Sequence, residues 1–345
     1  MANEHFDADG VGVINGNYFG MPFTPDNAAL VLISAPWDVT VSYGAGTAYG
    51  PDGLIEASTQ LDFYDPAAPD AWRRGIATAD IDYSLQELSQ RLRHDATRVI
   101  EHLEHGGEVT DDYVVRKIRR VNEGSMELNR NIRSQALEWI ERGKLVGLVG
   151  GDHSTSYGLV AALASKHRAF GILHIDAHCD LREAYEGFEF SHASIMFNLL
   201  RDIKAVQRIV QVGVRDFSAT ERRVAEESGR VVQYDDQRLL QSEFAGQTWQ
   251  QTCRQIIDEL PNEVYVSFDI DGLDAHYCPH TGTPVPGGLS YNQAIYLLQL
   301  LGESGKRIIG FDVVEVSPRE EEVIDTSVGA RILWKLCGQT LRSNQ

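Results

Sequence analysis

Residues 172–180 read ILHIDAHCD. An apolar run passes directly into Asp176, His178 and Asp180, three potential metal ligands at alternate positions. In an extended chain, side chains two apart share a face, so these three would aim at one spot while Ala177 and Cys179 point away. A buried strand has no structural use for two carboxylates and an imidazole on one side, because unpaired buried charge is costly. Alone, the pattern D-x-H-x-D is more often a set of ordinary solvated loop residues than a metal site. The rest of the chain decides.

Outward from this stretch, apolar runs alternate with helical patterns. Strands are expected at 29–36, 76–81, 145–149, 170–175, 208–214, 231–234, 264–270 and 307–314. Helical periodicity covers 53–60, most of 84–143, 155–165, 193–203, 249–260, 291–302 and 327–338. The 84–143 region is interrupted at Gly106-Gly107 and weakened at Gly124. Most of the strands are apolar throughout rather than alternating, which predicts a parallel sheet covered on both faces. The expected fold is therefore a three-layer α/β/α arrangement around an eight-stranded parallel sheet. An irregular arm over 1–28 would precede one catalytic domain over 29–340. In such a fold, functional groups gather at the C-terminal ends of the strands. The glycine-rich loop 42–53 (SYGAGTAYGPDG) matches neither nucleotide-binding fingerprint and reads as a structural loop or pocket rim.

Composition narrows the partners. Lys and Arg total 31 against 50 Asp and Glu, a net charge of −19. Nucleic acid and anionic membranes both require a basic footprint, so neither is expected. A small cationic substrate is compatible with this charge. No apolar run reaches transmembrane length, and residues 1–28 lack a basic start followed by a hydrophobic segment. The four cysteines are widely spaced with no CxxC, so a reduced cytoplasmic setting without disulfides is expected.

Four strand ends carry groups that a core would not choose. They are Gly150-Gly151-Asp152-His153, the Asp176, His178, Asp180 set, Asp269-Ile270-Asp271, and Glu315. Together they bring His153, His178, Asp176, Asp180, Asp269 and Asp271 toward one sheet edge. Six ligands exceed the needs of one transition ion, and an oxygen-rich set with some imidazole suits Mn²⁺ better than Zn²⁺. Two ions sharing carboxylates, roughly 3.5–4 Å apart, would generate hydroxide near neutral pH.

The segments GGDHS (150–154), HIDAHCD (174–180), SFDIDGLD (267–274), TGTPVPGG (281–288) and EVSP (315–318) resemble the ureohydrolase family of arginase and agmatinase. The similarity spans residues 29 to about 338, and 37–51 and 185–194 look like the agmatinase branch. This resemblance implies the arginase-like fold, and His153, Asp176, Asp180 and Asp269 around one Mn²⁺. Asp176, His178, Asp269 and Asp271 would hold the second, with Ni²⁺ as an alternative metal. It implies that Asp180 also contacts the nucleophile, that Glu315 receives the substrate guanidinium, and that His192 carries protons to the leaving amine. A homo-oligomer, a trimer or hexamer, is the family habit.

Agmatine, cleaved to putrescine and urea, is the first choice of substrate. Arginine, guanidinobutyrate, guanidine and a formiminoglutamase-type substrate are the rivals. Asp180-Leu181-Arg182 departs from the arginase pattern, and Arg182 could bind a substrate carboxylate. Cys179 stands where the family commonly has Thr. His280, in a segment unlike the agmatinase pattern, reads as a loop histidine. The helical stretch 84–142 exceeds a minimal member's needs and could shape a pocket rim or a subunit interface. A catalytically silent relative or a metal-dependent deacetylase are the outside readings, and the intact ligand sets disfavour both.

Overall fold

The computed structural model describes residues 6–345, so the first five residues of the predicted arm lie outside it. The strands are β1 (Leu30–Ala35), β2 (Ile76–Thr78), β3 (Leu145–Gly150), β4 (Phe170–Ile175), β5 (Val206–Val212), β6 (Val231–Tyr234), β7 (Glu263–Asp269) and β8 (Arg307–Val314). They form one sheet in the order β2-β1-β3-β8-β7-β4-β5-β6, every pair parallel. The four strands whose ends drew notice in the sequence, β3, β8, β7 and β4, are therefore neighbours at the centre of the sheet. Register aligns their ends: Val149 pairs with Val313, Asp269 with Val314, and Ile175 with Phe268.

The helices are α1 (Gly50–Ser58), α2 (Tyr83–Glu104), α3 (Asp112–Glu141), α4 (Ser156–Leu163), α5 (Ile195–Asp202), α6 (Ala219–Ser228), α7 (Asp236–Phe244), α8 (Trp249–Asp258), α9 (Tyr291–Glu303) and α10 (Ile324–Ser343). Two apolar clusters show why the sheet is hydrophobic on both sides. One face packs Leu54, Ile256, Leu297 and Leu333 from α1, α8, α9 and α10. The other packs Leu92, Leu128, Leu159 and Leu199 from α2 to α5.

Three departures from the sequence expectation have local causes. The second strand stops at Thr78 rather than 81, because Asp82 turns the chain into α2 and accepts a hydrogen bond from the Ser84 amide. Gly124 does not weaken α3, which runs unbroken for 30 residues. A Cβ there would lie 2.1 Å from Leu92 Cδ1, so the glycine is the notch that lets α2 cross α3. In the described part of the arm, residues 6–28, Tyr18–Gly20 form a short 3-10 turn, and Tyr18, Phe19 and Met21 are fully buried. The Tyr18 hydroxyl meets Ser34 Oγ at 2.7 Å, and the Phe19 amide donates to Ser58 Oγ at 2.7 Å. Among the described residues, no helix is long and apolar enough to cross a membrane.

Candidate active site

The groups at the four central strand ends meet, but not as extended strand. β4 ends at Ile175 and β7 at Asp269, so the face-sharing argument for Asp176, His178 and Asp180, and for Asp271, fails in its geometry. Asp side chains fold the chain back instead. Asp176 Oδ1 accepts from the His178 amide at 2.6 Å, and Asp269 Oδ1 accepts from the Asp271 amide at 2.9 Å. Asp180 has φ 53°, a left-handed backbone that turns its carboxylate back toward the cluster. Cys179 does point away, with its Sγ accepting from Gln233 at 3.2 Å, and all four cysteines are free and buried.

His153 Nδ1 is the centre of the first group. It lies 3.0 Å from Asp176 Oδ2, 3.1 Å from Asp180 Oδ2 and 3.3 Å from Asp269 Oδ2. All four residues are buried, yet this nitrogen has no hydrogen-bond partner. Its other nitrogen explains why. His153 Nε2 is 2.9 Å from Ser267 Oγ, and the Ser267 hydroxyl donates to the buried Asp312 carboxylate. Ser267 can then only accept from Nε2–H, so a neutral His153 carries its lone pair on Nδ1, facing three carboxylates. The second group shares Asp176. His178 Nδ1 is 3.4 Å from Asp176 Oδ1 and 3.2 Å from Asp271 Oδ2. The ligand atoms in each of two sets, His153, His174, Asp176, Asp180 and Asp176, His178, Asp271, lie within 4.8 Å of one another, close enough for a metal ion.

His174 belongs to the first set by distance but not by chemistry. Gln211 Nε2 donates to its Nδ1 at 2.9 Å and to the Cys179 carbonyl at 2.7 Å. His174 Nε2–H is therefore spent on Asp176 Oδ2, at 2.7 Å, and the ring braces that carboxylate. Asp176 is held well below its ordinary range by His174 and its other histidine neighbours against the effect of burial, whereas Asp180 and Asp269 are short of positive charge. Burial, then repulsion from Asp271 and Asp176, holds the Asp269 carboxyl well above its ordinary range. Burial and Asp176 push Asp180 up to about 6. A divalent cation between them supplies the missing charge, so the residues present fit a metal.

Glu315, with φ 62°, closes β8 in another left-handed turn. Its Oε1 accepts from the His153 amide at 2.9 Å, while buried Oε2 has no partner. A Cβ on Gly282 would stand 2.9 Å from that oxygen, so the glycine keeps open the space beside it. Above the cluster lies a cavity of about 290 Å³ whose lining includes His178, Asp180, Arg182, Tyr185, His192 and Asp216. His192 Nδ1 faces Thr40 Oγ1 at 3.3 Å and Ser191 Oγ at 3.4 Å. Burial, then the positive charge of His178 and Arg93, pushes this imidazole down to about 3, so it is neutral at ordinary pH. Arg182 stacks over Tyr185, 4.9 Å from the ring centre, with its Nη2 3.6 Å from Glu221 Oε2. His280 stands outside the cavity lining: its Nδ1 is 2.8 Å from buried Asp325 Oδ2, tying its loop to α10.

A family profile described as the arginase family matches residues 28–338. The chain belongs to the arginase family. Among curated relatives, the N(1)-aminopropylagmatine ureohydrolase of Thermus thermophilus is 31% identical over 301 residues, covering 87% of each chain. The guanidinobutyrase of Pseudomonas aeruginosa is 27% identical, covering 91% of this chain and 87% of its own. The agmatine ureohydrolase structure from Thermoplasma volcanium superposes with a TM-score of 0.71 at 23% identity, over 93% of this chain and 92% of that one. That likeness extends the arginase-family assignment to the fold, an eight-stranded parallel sheet with helices on both sides.

His174, Ser267, Asp312 and Thr40 are the site residues that sequence reasoning passed over. His174 stands in phase with Asp176 and His178, and Ser267 and Asp312 interrupt otherwise apolar strands. Those interruptions were the available signal. Thr40 carried none.

Proposed function

We propose that this arginase-family chain is a hydrolase of the guanidino group of a small amine, holding two divalent ions, Mn²⁺ by preference. One observation carries the reading: His153 presents its ring to the carboxylate cluster and its amide to Glu315, whose other oxygen is buried without a partner. A planar cation seated on Glu315 is thereby held next to the metal-ligand set. His153, Asp176, Asp180 and Asp269 would hold one ion and Asp176, His178, Asp269 and Asp271 the other. Such ions supply a water ionised near neutral pH and draw charge from the reacting group.

The protein groups do the rest. Glu315 Oε2 accepts guanidinium N–H and fixes the central carbon in orientation. Neutral His192 takes up a proton during addition and returns it to the departing amine nitrogen. One carbon–oxygen bond forms and one carbon–nitrogen bond breaks, so guanidinium and water become urea and an ammonium.

The tail of the substrate is taken to be cationic, as in agmatine or its aminopropyl derivative. Arg182 is the cation best placed to meet a carboxylate tail, and Glu221 and Tyr185 already occupy it. Asp216, by contrast, lines the cavity with no ion partner within 4.0 Å among the described residues. The likeness to an N(1)-aminopropylagmatine ureohydrolase supports the same choice. Likeness to a guanidinobutyrase keeps a guanidino acid as the second reading.

The test is a urea-release panel on Mn²⁺- and Ni²⁺-loaded protein with agmatine, N-aminopropylagmatine, arginine, guanidinobutyrate and guanidine. The highest kcat/KM is expected for one of the first two. Guanidinobutyrate as best substrate overturns the cationic tail, and no urea from any compound by fully loaded protein overturns the hydrolase.

A further inference from the structure

From the sequence, the stretch 84–142 could shape a pocket rim or a subunit interface. In the structure it becomes α2 and α3, and each helix sends one polar side chain to a different flank of His192. From α2, Arg93 donates to the Val39 carbonyl at 3.1 Å and also to that of Val41, bracketing Thr40. Thr40 Oγ1 in turn accepts from the His192 amide at 3.2 Å and faces His192 Nδ1. From α3, Asn122 grips the turn before His192 at two points. Its Nδ2 donates to the Gly187 carbonyl at 3.4 Å, and its Oδ1 accepts from the Glu189 amide at 3.0 Å.

That turn needs an external grip. Tyr185 and Phe188 exchange backbone hydrogen bonds of 3.1 and 2.9 Å across it, with Glu186 at φ 54° and Gly187 at φ 83°. Two successive left-handed residues suit glycine and asparagine, not glutamate. Ile118, one helical turn before Asn122 on the same face of α3, packs under Gly187, where a Cβ would come within 2.5 Å of Ile118 Cδ1. The turn carries Tyr185, whose ring stands 5.9 Å from the His192 ring at 87°.

We propose that the α2–α3 pair sets the position of His192 from both sides, Arg93 through Thr40 and Asn122 through the turn at Glu186–Gly187. Arg93 and Asn122 are thus positioning residues, and neither lines the cavity above the cluster. The proposal rests on the reading of His192 as the proton carrier for its kinetic consequence, but not for its structural one.

The experiment compares Asn122→Ala, His192→Ala and the double variant as Mn²⁺-loaded enzymes, with a crystal structure of Asn122→Ala. The expected result is a fall in kcat of about tenfold, with KM and metal content within twofold of the parent. On the His192→Ala background the same substitution should cost almost nothing, because its effect runs through that ring. An equal loss on both backgrounds overturns the proposal. So does a crystal structure in which the turn and the His192 ring keep their places, whatever His192→Ala does to turnover. If Asn122→Ala does not fold, Asn122→Asp retains the Glu189 contact, removes the Gly187 one, and is read in the same way. An active His192→Ala would sink the proton-carrier reading alone.

Discussion

Every group on the floor of the site hangs from the end of one of four neighbouring strands, whereas the His192 wall is a turn and the Thr40 segment beside it, each held by a side chain from a distant helix. On the floor, the backbone does the placing. Asp269 closes β7, Glu315 follows β8, and their positions are tied to a sheet whose register fixes all four ends together. On the wall, Tyr185 and His192 are placed by hydrogen bonds from residues far away in the chain. The floor can tolerate loss of any outer contact better than loss of a ligand. The wall is the reverse: its chemistry depends on groups that touch nothing reactive.

The strongest way to break the comparison is on the floor. Asp269→Asn should remove bound metal, measured by elemental analysis, and with it several kcal/mol of transition-state stabilisation, roughly a thousandfold in kcat/KM. Circular dichroism should show the secondary structure retained. Retained metal with normal turnover would mean that strand-end placement is not what makes the site. Next in size, Glu315→Gln should raise KM by about ten- to a hundredfold, the scale of one charge-assisted hydrogen bond, while metal content stays near normal. Equal loss of metal and substrate binding would merge two parts that the geometry separates.

On the wall, effects should be smaller and confined to kcat. Gly187→Ala forces a Cβ against Ile118 at a left-handed position, at a cost of about 1–2 kcal/mol in stability. It should lower kcat a few-fold with KM unchanged. Adding Ile118→Val should relieve the clash but not the backbone cost, giving partial recovery; full recovery would show that only packing mattered. The smallest effect concerns Glu186, whose carboxyl is pushed up to about 7 by burial and then by Glu104. A carboxyl raised on folding holds its proton more tightly in the folded state. Stability therefore declines as pH rises from about 4.5 to about 7 and is flat above. Melting temperatures of the parent should fall across that window, and those of Glu186→Gln should fall less. Parallel curves would remove Glu186 from the account.

The same contrast explains what was legible in the sequence. Predominantly apolar runs such as FGILHI and RIIGFDVV disclosed a parallel sheet, and β4, β6 and β8 coincide with the expected residues. The floor was legible because its chemistry sits in short segments directly after those runs. Even so, the sequence misjudged how the ligands converge, since Asx turns and left-handed residues replace the extended strand it implied. Gly124 read as a weak point because a glycine's partner across a helix crossing, Leu92, is invisible to local propensity. Arg93 and Asn122 looked like ordinary polar residues on amphipathic helices. Nothing local distinguishes a solvated asparagine from one that grips a turn on another part of the chain.

The left-handed backbone at Asp180 and Glu315 governs how this site can be engineered. Replacement by valine or isoleucine would deform the main chain as well as delete a carboxylate, so scanning libraries built on such residues would exaggerate both side chains. Asparagine sits comfortably at positive φ, which makes Asp180→Asn a substitution that removes the carboxylate without deforming the main chain. Any campaign to retune the metal preference should therefore vary amide against acid at these two corners and leave branched residues out of the codon set.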